Sequence, residues 1–195
     1  MRKYLILFFA LVAATFIGIA QTKNDTKDTT VPKTDETTDV VLKWYKMDEV
    51  LELTAKAPKK ILIDVYTDWC GWCKVMDKQT FADPKIAAYL NKYFYAVKFN
   101  AEEKTPVSFG GKTYNFIPEY RSNELAIALL QGKMSYPNIV YMDEKGQLLS
   151  AVPGFQKPEA ILPILVFFGE GYYNTVNWED FAKDVWPAKQ KEMEK

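Results

Sequence analysis

The sequence predicts one α/β domain in which helices flank a central mixed β-sheet. Two runs of β-branched and apolar residues, ILIDVYT (61–67) and FYAVKFN (94–100), are long enough to be strands buried on both faces. Segments with helical spacing surround them, and this order with short connections favours parallel strands. NIVYMDEKGQLLSAV (138–152) has the pattern strand–turn–strand and therefore adds an antiparallel hairpin. A chain of 195 residues that is 48% hydrophobic fits one such domain with short extensions.

The N-terminus has the pattern of an export signal. Two basic residues precede an uninterrupted apolar stretch from Tyr4 to Ala20. Gly18 and Ala20 are small residues at the positions that a signal peptidase requires, which predicts a signal peptide over residues 1–20 that is cleaved before Gln21. An uncleaved membrane anchor is the alternative, although the stretch is at the short end of the length that spans a bilayer. Both interpretations place the domain outside the cytoplasm.

The folded domain is predicted to occupy residues 40–187. Residues 21–39 are rich in threonine and contain no aromatic residue. Such a segment cannot bury enough apolar surface to offset its ordering entropy, so we expect a flexible linker. The strongly charged residues 188–195 are expected to form a frayed tail.

The first half of the domain is predicted to have the order β-α-β-α-β. VVLKWY (40–45) has the pattern of a short strand, and MDEVLELTAKA (47–57) has the apolar spacing of a helix. After the first buried strand, CKVMDKQTF (73–81) is predicted to be helical. Asp83 followed by Pro84 makes a good N-cap and first turn for the next helix, which leads into the second buried strand.

The second half contains a different kind of segment. A Gly-Gly pair at 110–111 lies between short apolar stretches, which indicates a hairpin-like excursion. Ser122 is predicted to cap a helix that Gly132 ends. A strongly apolar helix begins at Pro158, and the interior Pro163 predicts either a kink or a later start. NWEDFAKDVW (177–186) is predicted to be a last short helix.

Charge and histidine content exclude several functional classes. Lys+Arg and Asp+Glu both number 25, so no polycationic surface indicates nucleic-acid binding. The chain contains no histidine, which excludes Ser-His and Cys-His catalysis and removes the commonest metal ligand. We therefore expect neither a nucleic-acid partner nor a metal site.

Cys70 and Cys73, the only cysteines, follow the first buried strand in the motif WCGWC and allow three interpretations. A zinc site is a poor fit, because zinc takes four ligands and the chain offers no second pair and no histidine. A structural disulfide is also weak, because closing so short a loop stabilises by roughly 2 kcal/mol, against roughly 3 for a fifteen-residue loop. The third interpretation is a redox couple, which a Cys-x-x-Cys beside a βαβ pattern favours.

The redox interpretation has a physical mechanism. Cys70 lies where a strand ends and a helix begins, and the unpaired N–H groups and positive dipole of a helix N-terminus stabilise a thiolate. Cys73, one turn inside the helix, would be shielded and could attack the mixed disulfide that Cys70 forms. This geometry predicts an exposed first sulfur and a buried second sulfur.

The segment ILIDVYTDWCGWCK (61–74) resembles the active-site segment of the thioredoxin superfamily, whose pattern is a buried strand with an Asp and then Trp-Cys-Gly-Pro-Cys-Lys. SYPNIVYMDEKGQLL (135–149) resembles the family's cis-proline strand and hairpin, with Tyr136 and Pro137 at the cis bond. The resemblance covers about residues 40–169 and implies a thioredoxin-like fold with an insertion at 104–134. Within the superfamily, this sequence most resembles exported bacterial thioredoxin-like proteins, including those with a helical insertion before the cis-proline.

The resemblance implies a catalytic set around the two sulfurs. Cys70 would be the nucleophile and Cys73 the resolving thiol. Asp64 would lie beneath the pair, where burial raises its pKa and lets it exchange a proton with Cys73; a strand-end acid that reaches solvent is the alternative. Lys98 would support Asp64 as an ion-pair partner, or would be an ordinary exposed lysine of its strand.

The resemblance also implies a substrate surface made of Trp69, Trp72, Tyr136 and Pro137. A cis Pro137 would set a backbone edge that offers hydrogen bonds to an extended substrate segment. Trp72 is expected to be exposed, because its position faces outward on the bend. Gly71-Trp72 departs from the family's Gly-Pro and from its histidine-containing relatives, so the usual guide to redox direction is missing. The remaining tryptophans, Trp44, Trp178 and Trp186, are predicted to be packing residues.

The sequence therefore predicts an exported thiol–disulfide oxidoreductase of the periplasm or cell envelope. It would exchange disulfides with cysteine-containing exported proteins and with a membrane or periplasmic redox partner. It would act as a monomer and without a bound cofactor. A reductase is favoured, because no histidine is present to stabilise the reduced thiolate as a strong oxidant needs. The alternative is a thioredoxin-fold binding or chaperone-like module in which the disulfide is not catalytic.

Overall fold

The computed structural model describes residues 40–195, so the predicted signal peptide and linker lie outside the described residues. The strands are β1 (Trp44–Tyr45), β2 (Lys60–Tyr66), β3 (Phe94–Asn100), β4 (Val107–Phe109), β5 (Lys112–Tyr114), β6 (Phe116–Ile117), β7 (Ser122–Asn123), β8 (Asn138–Met142) and β9 (Leu148–Pro153). The α-helices are α1 (Val50–Lys56), α2 (Gly71–Met76), α3 (Pro84–Tyr93), α4 (Glu124–Leu129), α5 (Pro158–Gly169), α6 (Trp178–Asp180) and α7 (Trp186–Met193).

A five-stranded mixed sheet with the order β1-β3-β2-β8-β9 forms the centre of the domain. β2 and β3 pair in parallel, as the helical connection between them favours, and β1 extends the parallel part beside β3. β8 pairs antiparallel with β2, and β9 pairs antiparallel with β8. The predicted fold class, an α/β thioredoxin-like fold with a mixed sheet flanked by helices, is confirmed.

The sheet is buried on both faces, because apolar residues fill both alternating sets of positions on β2 and β3. On one face Leu62 packs with Met76 of α2 and with buried residues of α3 and α5. On the other face Ile61, Ile63 and Val65 pack with residues of α1 and α4. Complete burial of each such side chain contributes about 1.5–3 kcal/mol relative to exposure. Helix α2 is therefore fixed over the face that also carries Asp64.

Capping residues determine where the helices α3 and α4 begin. Asp83 caps α3 as predicted, since its Oδ1 accepts from the N–H groups of Lys85 and Ile86 at 2.9 and 3.0 Å. The cap of α4 is Asn123 and not Ser122, because Asn123 Oδ1 accepts from Leu125 N–H at 2.9 Å. The hydroxyl of Ser122 instead donates to a main-chain carbonyl of the segment after β3.

Residues 104–134 contain more strand than helix. Gly110 and Gly111, with φ of 59° and 74°, form the tight turn between β4 and β5, as the Gly-Gly pair predicts. β6 and β7 form a second short antiparallel pair, and α4 has six residues. Asn123 N–H donates to Ala101 O at 2.7 Å and ties the segment to the end of β3. The family's helical insertion at this place stays a prediction.

The C-terminal region departs from the sequence expectation. Helix α5 runs from Pro158 through Pro163 to Gly169, so the later start is wrong. Residues 188–193, expected to fray, continue α7, because Lys189 Nζ lies 2.9 Å from Glu170 Oε2 and anchors the helix. Trp178 is 41% exposed and so is less buried than a core residue. No helix within residues 40–195 is long and apolar enough to cross a membrane.

Candidate active site

The two cysteines form a disulfide at the N-terminus of helix α2. Their Cα atoms are 5.4 Å apart, and Cys70 occupies the N-cap position directly after the turn that ends β2. Cys70 N–H donates to Thr67 O at 3.1 Å, which closes that turn. Cys73 N–H donates to Cys70 Sγ at 3.1 Å, so a helix N-terminal donor already points at the first sulfur. A thiolate at Cys70 would be stabilised by the same donor.

Both cysteines are buried in the disulfide form. Cys70 is 5% exposed and Cys73 is 2% exposed. Cys70 is the more exposed of the two cysteines, as expected, but it is far less exposed than we predicted. Cys70 Sγ is bonded to Cys73 and accepts from the Cys73 N–H group, so the Cys70 side chain lies against the first turn of α2.

Asp64 is a buried carboxyl on the face of the sheet that α2 covers. It is 1% exposed, and within residues 40–195 neither of its carboxyl oxygens has a hydrogen-bond partner. Burial raises the pKa of Asp64 to about 6; the positive charge of Lys98 opposes the shift and the negative charge of Asp77 adds to it. The alternative of a strand-end acid that reaches solvent is therefore wrong. At neutral pH such a group can accept a proton and release it again.

Lys98 is an ion-pair partner of Asp64 and not a free surface lysine. Its Nζ lies 3.4 Å from Asp64 Oδ2, and it also pairs with Asp77 Oδ1. The rings of Trp44 and Tyr66 lie under the same ammonium, with centroids 5.3 and 5.0 Å away. We refer to Asp64, Lys98 and Asp77 as the charged cluster.

Asp77 is a member that the sequence reasoning missed. It begins the π-helical turn Asp77–Phe81 that continues α2. It also follows Cys73 by four residues, so the two side chains project from the same side of the helix. That spacing was the available signal, because Cys73 was already expected to face the buried acid.

Aromatic side chains surround the disulfide on the outer side. Trp69 is 66% exposed and Trp72, as predicted, is 63% exposed. Trp69 Nε1 donates to Glu102 Oε1 at 3.1 Å, and its ring meets the ring of Tyr136 edge to face at 5.9 Å. We refer to Trp69, Trp72, Tyr136 and Phe155 as the aromatic rim.

A groove of about 310 Å³ lies within this rim and is lined by Trp72, Tyr136, Pro137, Gly154 and Phe155. The Tyr136–Pro137 peptide bond is cis. Gly154 N–H donates to Pro137 O at 2.8 Å and fixes the floor of the groove. Phe155 packs on Trp72 with ring centroids 5.5 Å apart. Its role was missed, and no sequence signal distinguishes it from a core phenylalanine.

The main-chain groups of Tyr136 are available to a partner. Within the described part of the chain, neither its N–H nor its C=O makes a hydrogen bond to the protein. An extended peptide segment could pair with this edge, since strand-like segments bind through main-chain hydrogen bonds. Besides the two cysteines, the six other residues named from the sequence fall into two groups: Asp64 and Lys98 form an ion pair, and Trp69, Trp72, Tyr136 and Pro137 lie together around the groove. No group of three or more possible metal ligands occurs among residues 40–195.

Comparison with known proteins places this site in a family. The model of the thioredoxin-like domain family matches residues 47–169, which is more than half of the chain. The chain therefore belongs to the thioredoxin-like domain family.

Curated relatives share part of this domain. The thiol:disulfide interchange protein DsbD of Vibrio vulnificus is 40% identical over 48 residues, which are 25% of this chain and 8% of that protein. DsbD of Pectobacterium atrosepticum is 29% identical over 110 residues, which are 54% of this chain and 16% of that protein. The chain thus matches less than a fifth of the length of these relatives.

Solved structures share the fold. A thioredoxin-fold protein from Helicobacter pylori superposes with a TM-score of 0.54 at 20% identity, covering 70% of this chain and 85% of that one. A DsbH oxidoreductase superposes with a TM-score of 0.50 at 18% identity, covering 76% and 95%. The family, the fold and the Cys70–Cys73 disulfide together support thiol–disulfide oxidoreductase chemistry.

Proposed function

We propose that the protein is an exported thiol–disulfide oxidoreductase that works through Cys70 and Cys73. The observation that carries the proposal is the disulfide at the N-terminus of α2, with the Cys73 N–H group directed at Cys70 Sγ. A purely structural clip would not need a donor aimed at one of its sulfurs. Curated relatives named thiol:disulfide interchange proteins agree with this chemistry.

In the reducing direction the Cys70 thiolate attacks one sulfur of a partner disulfide. A mixed disulfide forms, and the other partner sulfur leaves as a thiolate that takes a proton from water. Cys73 then passes its proton to a base, attacks Cys70 Sγ and releases the second partner sulfur, which is protonated in turn. Two electrons pass from the cysteine pair to the partner, and the protein is left with the disulfide that the structure contains.

Asp64 is the base that we assign to the second step. It is a carboxyl group buried beneath α2, with a pKa raised by burial to about 6, so at neutral pH it is mainly ionised yet able to take a proton. Lys98 supports it as the neighbouring positive charge, 3.4 Å away.

The partner is proposed to be a cysteine-containing exported protein that docks an extended segment on the aromatic rim. Trp69, Trp72 and Tyr136 supply apolar contact area beside the disulfide, and Pro137 shapes the groove. The N-terminal sequence supports delivery to the periplasm or cell envelope, with cleavage before Gln21. Cell fractionation of the full chain, with mass determination of its N-terminus, tests that delivery.

The reducing direction is favoured over the oxidising one. A strong disulfide oxidant is made by stabilising its reduced thiolate. Within the described residues Cys70 Sγ has one protein donor, the N–H of Cys73, and the chain has no histidine to add another.

The deciding experiment combines the reduction potential of the cysteine pair with an insulin-reduction assay. We expect a potential near that of thioredoxin, about −270 mV, and turnover that Cys70→Ser abolishes. A potential below about −300 mV with no turnover by the wild-type protein would overturn the proposal, because that combination describes a structural disulfide.

The exposed rings of Trp69 and Trp72 favour one second candidate, a module that binds unfolded clients without redox chemistry. The two functions separate in the Cys70→Ser variant. A binding module would suppress aggregation of an unfolded, cysteine-free client as well with the variant as with the wild type. An oxidoreductase would lose its activity.

A further inference from the structure

We propose that Asp77 is the solvent-facing end of a proton path that connects Asp64 to water through Lys98. Asp77 would then be a positioning residue of the proposed reaction, because it acts on the cysteines only through the other two members of the charged cluster. The inference rests on the proposed function, in which Asp64 exchanges a proton in each cycle.

Asp64 needs such a path because it has no direct contact with solvent. Its side chain is 1% exposed and lies beneath α2, and a bound partner would cover the disulfide side of that helix as well. A proton taken from Cys73 would remain on Asp64 unless another group carried it away. The next cycle could not begin until that proton had left.

Lys98 is placed between the buried carboxyl and an exposed one. Its Nζ lies 3.4 Å from Asp64 Oδ2 and contacts Asp77 Oδ1, whose side chain is 39% exposed. The rings of Trp44 and Tyr66 hold the ammonium between the two acids, with centroids at 5.3 and 5.0 Å. One cation therefore contacts both carboxylates while its position is fixed by aromatic faces.

The outer end of the charged cluster opens into a cleft of about 620 Å³ that Asp77 and Lys98 line together with Trp44, Phe81 and the chain at 40–42. This cleft shares no lining residue with the groove of the aromatic rim. A partner docked in the groove would therefore leave the cleft open. Proton exchange and partner binding would use separate openings.

The proton step balances without any further reagent. Asp64 gives up its proton to Lys98 as Lys98 gives one of its own to Asp77, and the ammonium keeps its charge throughout. Asp77 then releases the proton to water in the cleft. The net change is one proton moved from the buried carboxyl to solvent, with no change in redox state.

Asp77 also affects the pH range of the reaction. The charged and titratable groups that face Asp64 are Lys98 from β3, Asp77 from the turn after α2 and Tyr66 from β2 itself. The strand on the other side, β8, presents Ile139 to Asp64 and no charge. The negative charge of Asp77 raises the pKa of Asp64, and the positive charge of Lys98 lowers it. Without the Asp77 charge, Lys98 pairs with Asp64 only, so the pKa of Asp64 falls.

The test is steady-state insulin reduction by Asp77→Asn between pH 5 and 8, in H₂O and in D₂O with the reductant in excess. We expect kcat to fall by about tenfold, KM to fall with it so that kcat/KM is unchanged, and the solvent isotope effect on kcat to rise, because proton release after capture of the substrate becomes limiting. The acidic limb of the profile should move to lower pH. Asp77→Glu should restore kcat.

Asp184→Asn is the matched control, since it removes an exposed carboxylate that belongs to no ion pair within the described residues. Trp44→Leu is a second variant, which should give a smaller change of the same kind by loosening Lys98. If Asp77→Asn matches Asp184→Asn in kcat, isotope effect and pH profile, the proton path is wrong. Absence of turnover in the wild type would refute the proposed function instead.

Discussion

The disulfide separates two regions that differ in almost every physical property. The aromatic rim is exposed and uncharged, with Trp69 and Trp72 about two-thirds accessible to solvent. In the charged cluster, which includes Asp77 from the turn after α2, Asp64 is buried and one ammonium pairs with two carboxylates. The aromatic rim can contribute apolar contact area, which depends little on the orientation of a partner. In the charged cluster, by contrast, the charged atoms of three side chains lie at fixed distances from one another.

We therefore expect the aromatic rim to bind partners and the charged cluster to transfer protons. Aromatic faces bind varied apolar segments, since their contribution depends mainly on area removed from water. A buried carboxyl beside a lysine contributes through its pKa, which depends on a few neighbouring charges. Variants of the rim should therefore change KM, and variants of the cluster should change pH profiles and the rate of the second chemical step.

The largest effect is expected from Asp64→Asn, which keeps the shape of the side chain and removes its ability to take a proton. The resolving attack by Cys73 should slow by about 100-fold at pH 7, a typical contribution of general acid–base catalysis. Stopped-flow fluorescence can follow it, because Trp69 and Trp72 each directly precede one of the two cysteines. An unchanged resolving rate in the variant would remove Asp64 from the mechanism.

The next effect concerns stability, since burial raises the pKa of Asp64 to about 6 from an unfolded value of about 3.9. Between these values the folded state binds more protons than the unfolded state, so stability falls as pH rises. From pH 4 to pH 7 the loss is about 2 kcal/mol at this site, because the unfolded carboxyl is still nearly half protonated at pH 4.

Urea denaturation of wild type and Asp64→Asn at pH 4 and pH 7 measures that loss. The difference in unfolding free energy between the two proteins should change by about 2 kcal/mol in favour of the variant at pH 7. Equal pH dependence in both proteins would mean that Asp64 is not buried as a carboxyl with a raised pKa.

The sequence predicted the elements of the fold well, because periodic burial is a local signal. ILIDVYT and FYAVKFN became β2 and β3, and Asp83 caps α3 as expected. Errors occurred where neighbouring residues compete for one role. Ser122 and Asn123 are both good caps, and only the path of β7 decides that Asn123 faces the first turn of α4.

The site was predictable where it is local and less so where it is tertiary. Cys70 and Cys73 could be placed at a helix N-terminus from strand and helix boundaries alone. Lys98 of β3 pairs with a second carboxylate, Asp77, because β3 and the turn after α2 meet in the folded domain. The spacing from Cys73 predicts the side of the helix on which Asp77 lies, but it does not predict that Lys98 lies beside it. Phe155 reaches the aromatic rim through the path of the chain after β9, which no periodicity encodes.

A smaller effect is expected from Trp72→Ala, which tests the rim without touching the cluster. Loss of an exposed aromatic contact should raise KM for a protein disulfide by about tenfold, a truncation cost of roughly 1–2 kcal/mol. The pH profile of the resolving step should not change. Trp178→Ala is the matched control, because Trp178 is 41% exposed and does not line the groove of the rim. A shifted pH profile in Trp72→Ala would break the division between the two regions.

The smallest effect is expected from Glu102→Gln, where a carboxylate contacts the aromatic rim. Glu102 Oε1 accepts from Trp69 Nε1 at 3.1 Å, and an amide oxygen could still accept that bond without the charge. KM should rise by about twofold to threefold, roughly 0.4–0.7 kcal/mol, since the hydrogen bond keeps its two partners and loses only the assistance of the charge. Glu102 does not contact Lys98, so the acidic limb of the pH profile should stay where it is in the wild type. A shift of that limb as large as the one expected for Asp77→Asn would show that charge on the rim also controls Asp64, and the separation of recognition from proton transfer would be wrong.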